Sequence, residues 1–140
     1  MPRGTLVESR RPTRPVTVMR PEPTAVVRQD LLEGIALFNE EKFWHAHEAW
    51  ERRWLACEGD EKLFLQGLIQ LAAAYHHAQK GTFPGGVRLF DAALAKLSHV
   101  PDGYLGVDRT VAIARASRHR ECIARGEHID AMDFPKLRYN

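Results

Sequence analysis

The sequence predicts an all-α fold, a bundle of about five helices with short connections, preceded by an extended Pro/Arg-rich N-terminal tail. Three observations predict it. Apolar residues recur at three- and four-residue spacing in successive stretches. Glycine, proline and acidic residues punctuate those stretches where helices begin and end. There is no internal repeat and no convincing strand.

Residues 1–24 hold Pro2, Pro12, Pro15, Pro21 and Pro23 and no sustained periodicity. They read as a disordered or extended basic tail, with a short strand-like piece at Val16–Met19. Residues 25–140 then form a single helical-bundle domain, a length sufficient for a real core. The first helix runs from about Ala25 to Phe38, with Leu31, Ile35 and Phe38 on its seam and Asn39 as its stop. Gly34 weakens this helix but permits close approach by a neighbour. The second helix spans about Lys42 to Cys57, and Gly59-Asp60 ends it and supplies Asp60 as N-cap for the third. That third helix, about Glu61 to Lys80, is apolar on nearly every side, which places it in the middle of the bundle. Gly81 fits its C′ position. Pro84 starts a fourth helix to about His99, with Val87, Phe90, Leu94 and Leu97 as its seam. Pro101-Asp102-Gly103 is a turn. Asp108 caps a fifth helix to about Arg125, with Val111, Ile113, Ala116 and Cys122 facing inward. Phe134-Pro135 and Leu137 tuck back against the bundle.

Bulk properties exclude several function classes. Hydrophobic content is 44% and charged content 27%, both ordinary for a globular chain. No apolar run approaches the ~18 residues of a membrane span, so no membrane partner is expected. The N-terminus lacks an apolar signal core, and Cys57 and Cys122 form no CxxC pattern, so a cytoplasmic protein with reduced thiols is expected. The net charge of +2 divides into +3 on residues 1–24 and −1 on the remainder. The domain therefore lacks the concentrated basic patch that nucleic acid needs, and only the arginines of the tail could touch RNA, weakly and with steep salt dependence.

The stretch from Phe43 to Trp54 holds all three tryptophans, beside His45, His47, Glu48 and Glu51. On a helical wheel Trp44, His47, Glu51 and Trp54 share one arc, with Phe43, Trp50, Leu55 and Glu48 at its flanks; Arg52, His45, Ala49, Arg53 and Ala46 take the other side. An ionisable pair within an aromatic face is costly unless bonded. The third helix offers partners: Gln66, Gln70 and His77 form a polar stripe lined by Gly67, Ala73 and Ala74. Helices joined by a short turn pack antiparallel. That register sets Gln66 nearest Glu51, and Gln70 or His77 nearest His47.

Three chemistries fit this constellation. His47, Glu51 and His77 could ligate a divalent metal, with Gln70 or water completing the shell and Glu48 as catalytic base. A metal-free base and its orienting group is the second. A buried hydrogen-bond network that fixes helix register is the third. Trp44, Trp54, Gln66 and Gln70 would line the site, and the tryptophans are most simply core. His76 reads as a packing or surface histidine. The HExxE string from His47 to Glu51 lacks the second histidine of a zincin. Trp44 stands where a di-iron Glu-x-x-His repeat needs its glutamate. Gly85-Gly86 is no P-loop, and no serine sits in a nucleophile elbow.

Phe38-Asn39, Phe43-Trp44-x-x-His47-Glu48-x-Trp50-Glu51-x-x-Trp54, and Gln66 through Ala74 with His77 and Gly81 resemble the family called domain of unknown function 309 (DUF309) over about residues 30–98. The family pattern has Gly-Asn where this chain has Gly81-Thr82. The resemblance implies a small helical bundle and no established activity. The residues that match its polar pattern are His47, Glu48, Glu51, Gln66, Gln70 and His77.

The expected functions are thus two. One is a metal-assisted hydrolase on a small molecule or nucleotide. The other is a non-catalytic helical binding or oligomerisation module, a homodimer, whose polar cluster is structural.

Overall fold

The structure, a computed structural model, describes residues 25–140, with side chains from residue 28 onward. The tail expected over 1–24, with its strand-like piece, lies outside the described residues. Five helices form among the described residues: α1 (Ala25–Asn39), α2 (Phe43–Trp54), α3 (Gly59–Lys80), α4 (Phe83–Leu97) and α5 (Thr110–Ala124). Short 3-10 turns lie at Tyr104–Gly106 and Ala131–Asp133. One departure from the all-helical expectation is a two-residue antiparallel pairing of β1 (Val107–Asp108) with β2 (Arg138–Tyr139). It arises because the C-terminal segment runs back across the bundle and finds the free backbone ahead of α5.

The helix limits differ from the sequence reading where backbone geometry overrides side-chain pattern. α2 stops at Trp54, short of Cys57. The chain then extends through Glu58 and turns at Gly59, whose φ of 65° is left-handed. Glu58, not Asp60, is the N-cap of α3, and it makes no side-chain capping bond. Asp60 and Glu61 sit instead in the first turn, where their charge complements the helix dipole. Gly81 takes the left-handed C′ position after α3, with φ 80°. Arg109, not Asp108, is the N-cap of α5, although Asp108 accepts the Thr110 N–H at 3.0 Å just ahead of it.

Each helix packs chiefly on its neighbours in sequence, which leaves α3 between α2 and α4. Phe64, Leu65, Leu68, Leu71, Ala72, Ala74 and Tyr75 of α3 are all buried, as an all-round apolar helix demands. α1 and α2 approach through Gly34. A Cβ added there would lie 2.1 Å from the Trp50 indole nitrogen, and that indole donates its N–H to the Leu31 carbonyl at 3.2 Å. Small residue and large ring thus form one interlock.

The inward face of α5 is rotated from the expected one. Ala112, Ala116, His119 and Ile123 are buried, whereas Val111 is 53% exposed and Cys122 only half-buried. Their 4-3-4 spacing is a regular seam, with a histidine standing where an apolar residue is usual. His119 is there because the core offers it a partner. Its Nδ1 meets the Tyr75 hydroxyl at 2.7 Å, and its Nε2 meets Asp133 Oδ2 at 2.7 Å. Burial pushes the Tyr75 pKa far up, so the hydroxyl keeps its proton and donates it to Nδ1. The imidazole then donates its Nε2 proton to the carboxylate. Burial lowers the His119 pKa even though Asp133 pulls the other way, which keeps the ring neutral. The hydrogen bond from His119 holds the Asp133 carboxyl below its usual range, with Arg115 and Arg118 adding to it.

Two further polar fixings close the fold. Buried Arg109 donates to the carbonyls of Leu97, Val100 and Pro101, and so satisfies the last carbonyl of α4 and two of the turn that follows. Asn39 clasps Leu137, accepting its N–H at 2.8 Å and donating to its carbonyl at 2.9 Å. Phe134 and Leu137 tuck in as the sequence suggests, and Phe134 meets Phe43 with ring centres 5.6 Å apart.

Two outcomes follow from this packing. Gly34→Ala forces the Trp50 ring out of its seat and is expected to destabilise the protein by about 1–3 kcal/mol in urea unfolding. Acid acts through His119 and Asp133 in one direction. Both hold folded-state pKa values below their ordinary ones, so the unfolded chain binds protons first and stability falls as pH drops. The His119 share is present above its ordinary pKa of about 6.5 and is lost below it. The Asp133 share follows below about 3.8. The Tm of His119→Gln is expected to start lower and to decline less between pH 7.5 and 5 than that of the parent, measured by circular dichroism.

Candidate functional site

The candidate site is the outer face that α2 and α3 share. Its make-up depends on how α2 is rotated. Phe43, Ala46, Ala49 and Trp50 are the buried residues of α2. The arc centred on His47 and Glu51 is therefore not the core face, and Ala46 and Ala49, read as outer residues, point inward. The reason is the α1 contact: Trp50 must reach Gly34, and that turns the His47/Glu51 arc toward the edge. The tryptophans divide accordingly. Trp50 is fully buried, Trp54 half-buried, and Trp44 is 44% exposed. Glu48 and Glu51 are exposed.

The stripe of α3 meets this edge. Gln66, Ile69, Gln70, Ala73, His76 and His77 are half-buried, flanked by Lys62 and Lys80. The register is antiparallel and runs in three steps. At one end the Trp44 ring meets two imidazoles, 4.5 Å from His47 and 5.1 Å from His76, centre to centre. In the lower part Glu51, Trp54, Gln66 and Ile69 line a dimple of about 60 Å³. At the far end the Lys62 ammonium lies 4.5 Å from the Trp54 ring centre. The pairing of Glu51 with Gln66 matches the sequence register. The histidine that approaches Trp44 and His47 is His76, one residue before the one expected.

His77 is engaged elsewhere. Its Nδ1 lies 2.6 Å from the Thr82 hydroxyl, and the Thr82 N–H bonds the His77 carbonyl at 3.0 Å. A Cβ on Gly85 would lie 3.3 Å from the imidazole. His77 thus clasps the α3–α4 corner, with Thr82 standing at the position where the family pattern carries asparagine. Among the described residues no three histidine, cysteine, aspartate or glutamate side chains come together as a metal ion would need. Glu48 is exposed and makes no hydrogen bond or ion pair among the described residues.

Three polar atoms of this face are buried without a hydrogen-bond partner: His47 Nδ1, Trp54 Nε1 and Gln70 Oε1. A buried polar group left unpaired costs about 1–3 kcal/mol. A fourth such atom among the described residues, Arg109 Nε, lies apart, by the end of α4. The electrostatics of the face are basic at the His76 end, where burial and the neighbours Lys80, His77 and His47 lower the His76 pKa. Chemically, the face offers a flat aromatic ring, imidazoles, amides and outward carboxylates. It offers no nucleophile beside a base.

Sequence reasoning missed the Tyr75–His119–Asp133 chain and the Arg109 cap. The seam of Ala112, Ala116, His119 and Ile123 carried a signal for the first. Arg109 carried none, because nothing local marks it as turned inward. Among the described residues, no helix is long and apolar enough to cross a membrane. Both cysteines are free.

The family model of DUF309, a domain of unknown function, matches residues 31–89, which hold most of α1, α2, α3 and the first half of α4. A solved structure of a conserved hypothetical protein from Thermus thermophilus is similar, with a TM-score of 0.58 and 32% identity. The match covers 64% of this chain and 94% of that one. No curated protein matches. The helical order, the α2–α3 polar pattern and these two similarities agree, and the chain belongs to the DUF309 family.

Proposed function

We propose that the protein is a non-catalytic helical binding module and that the outer α2–α3 face is its recognition surface. The observation that carries this reading is Trp44, 44% exposed, stacked on His47 and tilted against His76, on a face with polar atoms short of partners. A large ring already packed against neighbours at the surface loses little conformational entropy on contact, which suits tryptophan to anchor interfaces. Unpaired polar atoms on the same face raise the energy of the bare face relative to an occupied one. The hydrolase reading draws less support. Its three proposed ligands are spread along the face, with His77 tied to Thr82 and Glu51 at the dimple.

Metal analysis of full-length protein, purified without an affinity tag or chelator, tests the choice. Metal content well below one ion per chain is expected, with a Tm that shifts by less than about 1 °C on adding EDTA, since a structural site would contribute far more. Stoichiometric zinc, iron or manganese that is lost in His77→Ala would overturn the proposal.

A further inference from the structure

We infer that residues 127–140 form a strap that acid releases from an otherwise intact bundle, with His119 as its latch. The inference is independent of the α2–α3 face.

The strap is held by a few pins and not by a core face of its own. Pro135 and Leu137 are its buried residues, with Ile129, Asp133 and Phe134 half-buried and Met132 91% exposed. Asn39 clasps Leu137, and the Asn140 N–H reaches the Gly106 carbonyl at 2.7 Å. Lys136 lies 3.8 Å from Glu41. Phe134 rests on Tyr75, ring centres 5.8 Å apart. A segment that buries so few apolar side chains opens locally at a lower free energy than the helices unfold.

The remaining pin is sensitive to protons. His119 Nε2 donates to Asp133 of the strap, while Nδ1 accepts from Tyr75. The closed ring therefore has a place for one proton only. A second, on Nδ1, would set an N–H against an O–H and cost the buried Tyr75 hydroxyl its acceptor. Asp133 works the other way and favours the charged ring, but Arg115 and Arg118 lie near the same carboxylate and oppose it. Asp91 of α4 is taken up by Arg120 of α5. Burial outweighs the carboxylate, so the closed ring holds its pKa below the ordinary one. Lifting the strap takes away Asp133 and Phe134, and water reaches the edges of His119 and Tyr75 that they covered. The open ring then takes its proton near the ordinary pKa of about 6.5. The open form binds more protons, so opening is favoured as pH falls. What opens is a seat with the Phe43 and Tyr75 rings, the Asn39 amide and the backbone edge of β1.

Hydrogen exchange by mass spectrometry on the full-length chain at pH 7.5 and 5.5, corrected for the intrinsic rate, tests this. Protection of residues 130–140 is expected to fall several-fold on acidification, with a ceiling of about tenfold set by one ordinary imidazole. Protection of α2 and α3 is expected to hold, with unchanged helical circular dichroism. His119→Gln keeps an acceptor and a donor but cannot take the proton, and its strap is expected to lose the pH response. His128→Gln, which changes the strap's own histidine, is expected to keep it. Nuclear magnetic resonance of the parent imidazole keeps the test valid if His119→Gln does not fold. His119 is expected to be mostly neutral at pH 6.5, with its proton on Nε2. Strap protection indifferent to pH, loss shared equally by α2 and α3, a response that survives in His119→Gln or vanishes in His128→Gln, or a His119 ring mostly charged at pH 6.5 would overturn the inference.

Discussion

The contact on which the fold turns is the bond between the Tyr75 hydroxyl and His119. Tyr75 sits in the C-terminal third of α3, and its ring meets Phe38 of α1, Phe43 of α2, Phe90 of α4, His119 of α5 and Phe134 of the C-terminal segment. Every helix therefore reports to one side chain. A phenylalanine could fill that space, but it would leave His119 Nδ1 without a donor inside the core. The hydroxyl fixes which turn of α5 faces inward, and His119 in turn fixes Asp133. Three side chains thus set the placement of the last thirty or so residues against the first four helices. Because helices pack chiefly on sequence neighbours, this polar chain and the Asn39–Leu137 clasp do what α1–α5 packing would do in a closed bundle.

The aromatic hub also decides what is left outside. With Phe43 and Trp50 committed to the core, α2 has no freedom to turn its remaining aromatic residues inward. Trp44 lies roughly a quarter turn from Phe43 and must emerge at the edge. The α3 stripe is constrained likewise, since Tyr75, Leu68 and Leu71 face the hub and Gln66, Ala73 and His77 lie opposite. The outer face is a by-product of core geometry in position, but not in composition. Solvated helix edges are usually dressed with charge, and this edge sets an indole, imidazoles and amides among Glu48, Glu51, Lys62 and Lys80.

Sequence pattern revealed the helices and their order because apolar spacing and Gly/Pro punctuation are local signals. It misjudged the α2 face for an equally physical reason. Phe43, Trp44, Trp50 and Trp54 point in several directions on the wheel, so hydrophobicity alone cannot orient the helix. The deciding fact was the fit of Trp50 against Gly34, a contact between two helices that neither sequence stretch shows by itself. The register of α2 on α3 was legible to within one residue, as Glu51 beside Gln66 shows, and His76 replacing His77 marks its limit. Thr82 drew His77 away, and a five-residue loop contact of that kind has no periodic signature. The C-terminal strand pairing was invisible because two residues cannot alternate long enough to announce a strand.

The division between the matched and unmatched parts of the chain sharpens the functional argument. Residues 31–89 contain Trp44, His47, Glu51, Trp54, Gln66, Gln70 and His76, the whole outer face. They also contain Tyr75, but not His119 or Asp133, to which its hydroxyl is linked. The unmatched share of this chain in the comparison with the Thermus protein exceeds what residues 1–24 supply, so some of the described fold has no counterpart there. A part that fixes stability can vary between relatives, since many packings close a core. A recognition face has fewer substitutes, because its partner constrains it as well. The α2–α3 face lies entirely within residues 31–89, as do Gly34, Trp50 and Tyr75 of the core, whereas His119 and Asp133 lie beyond them.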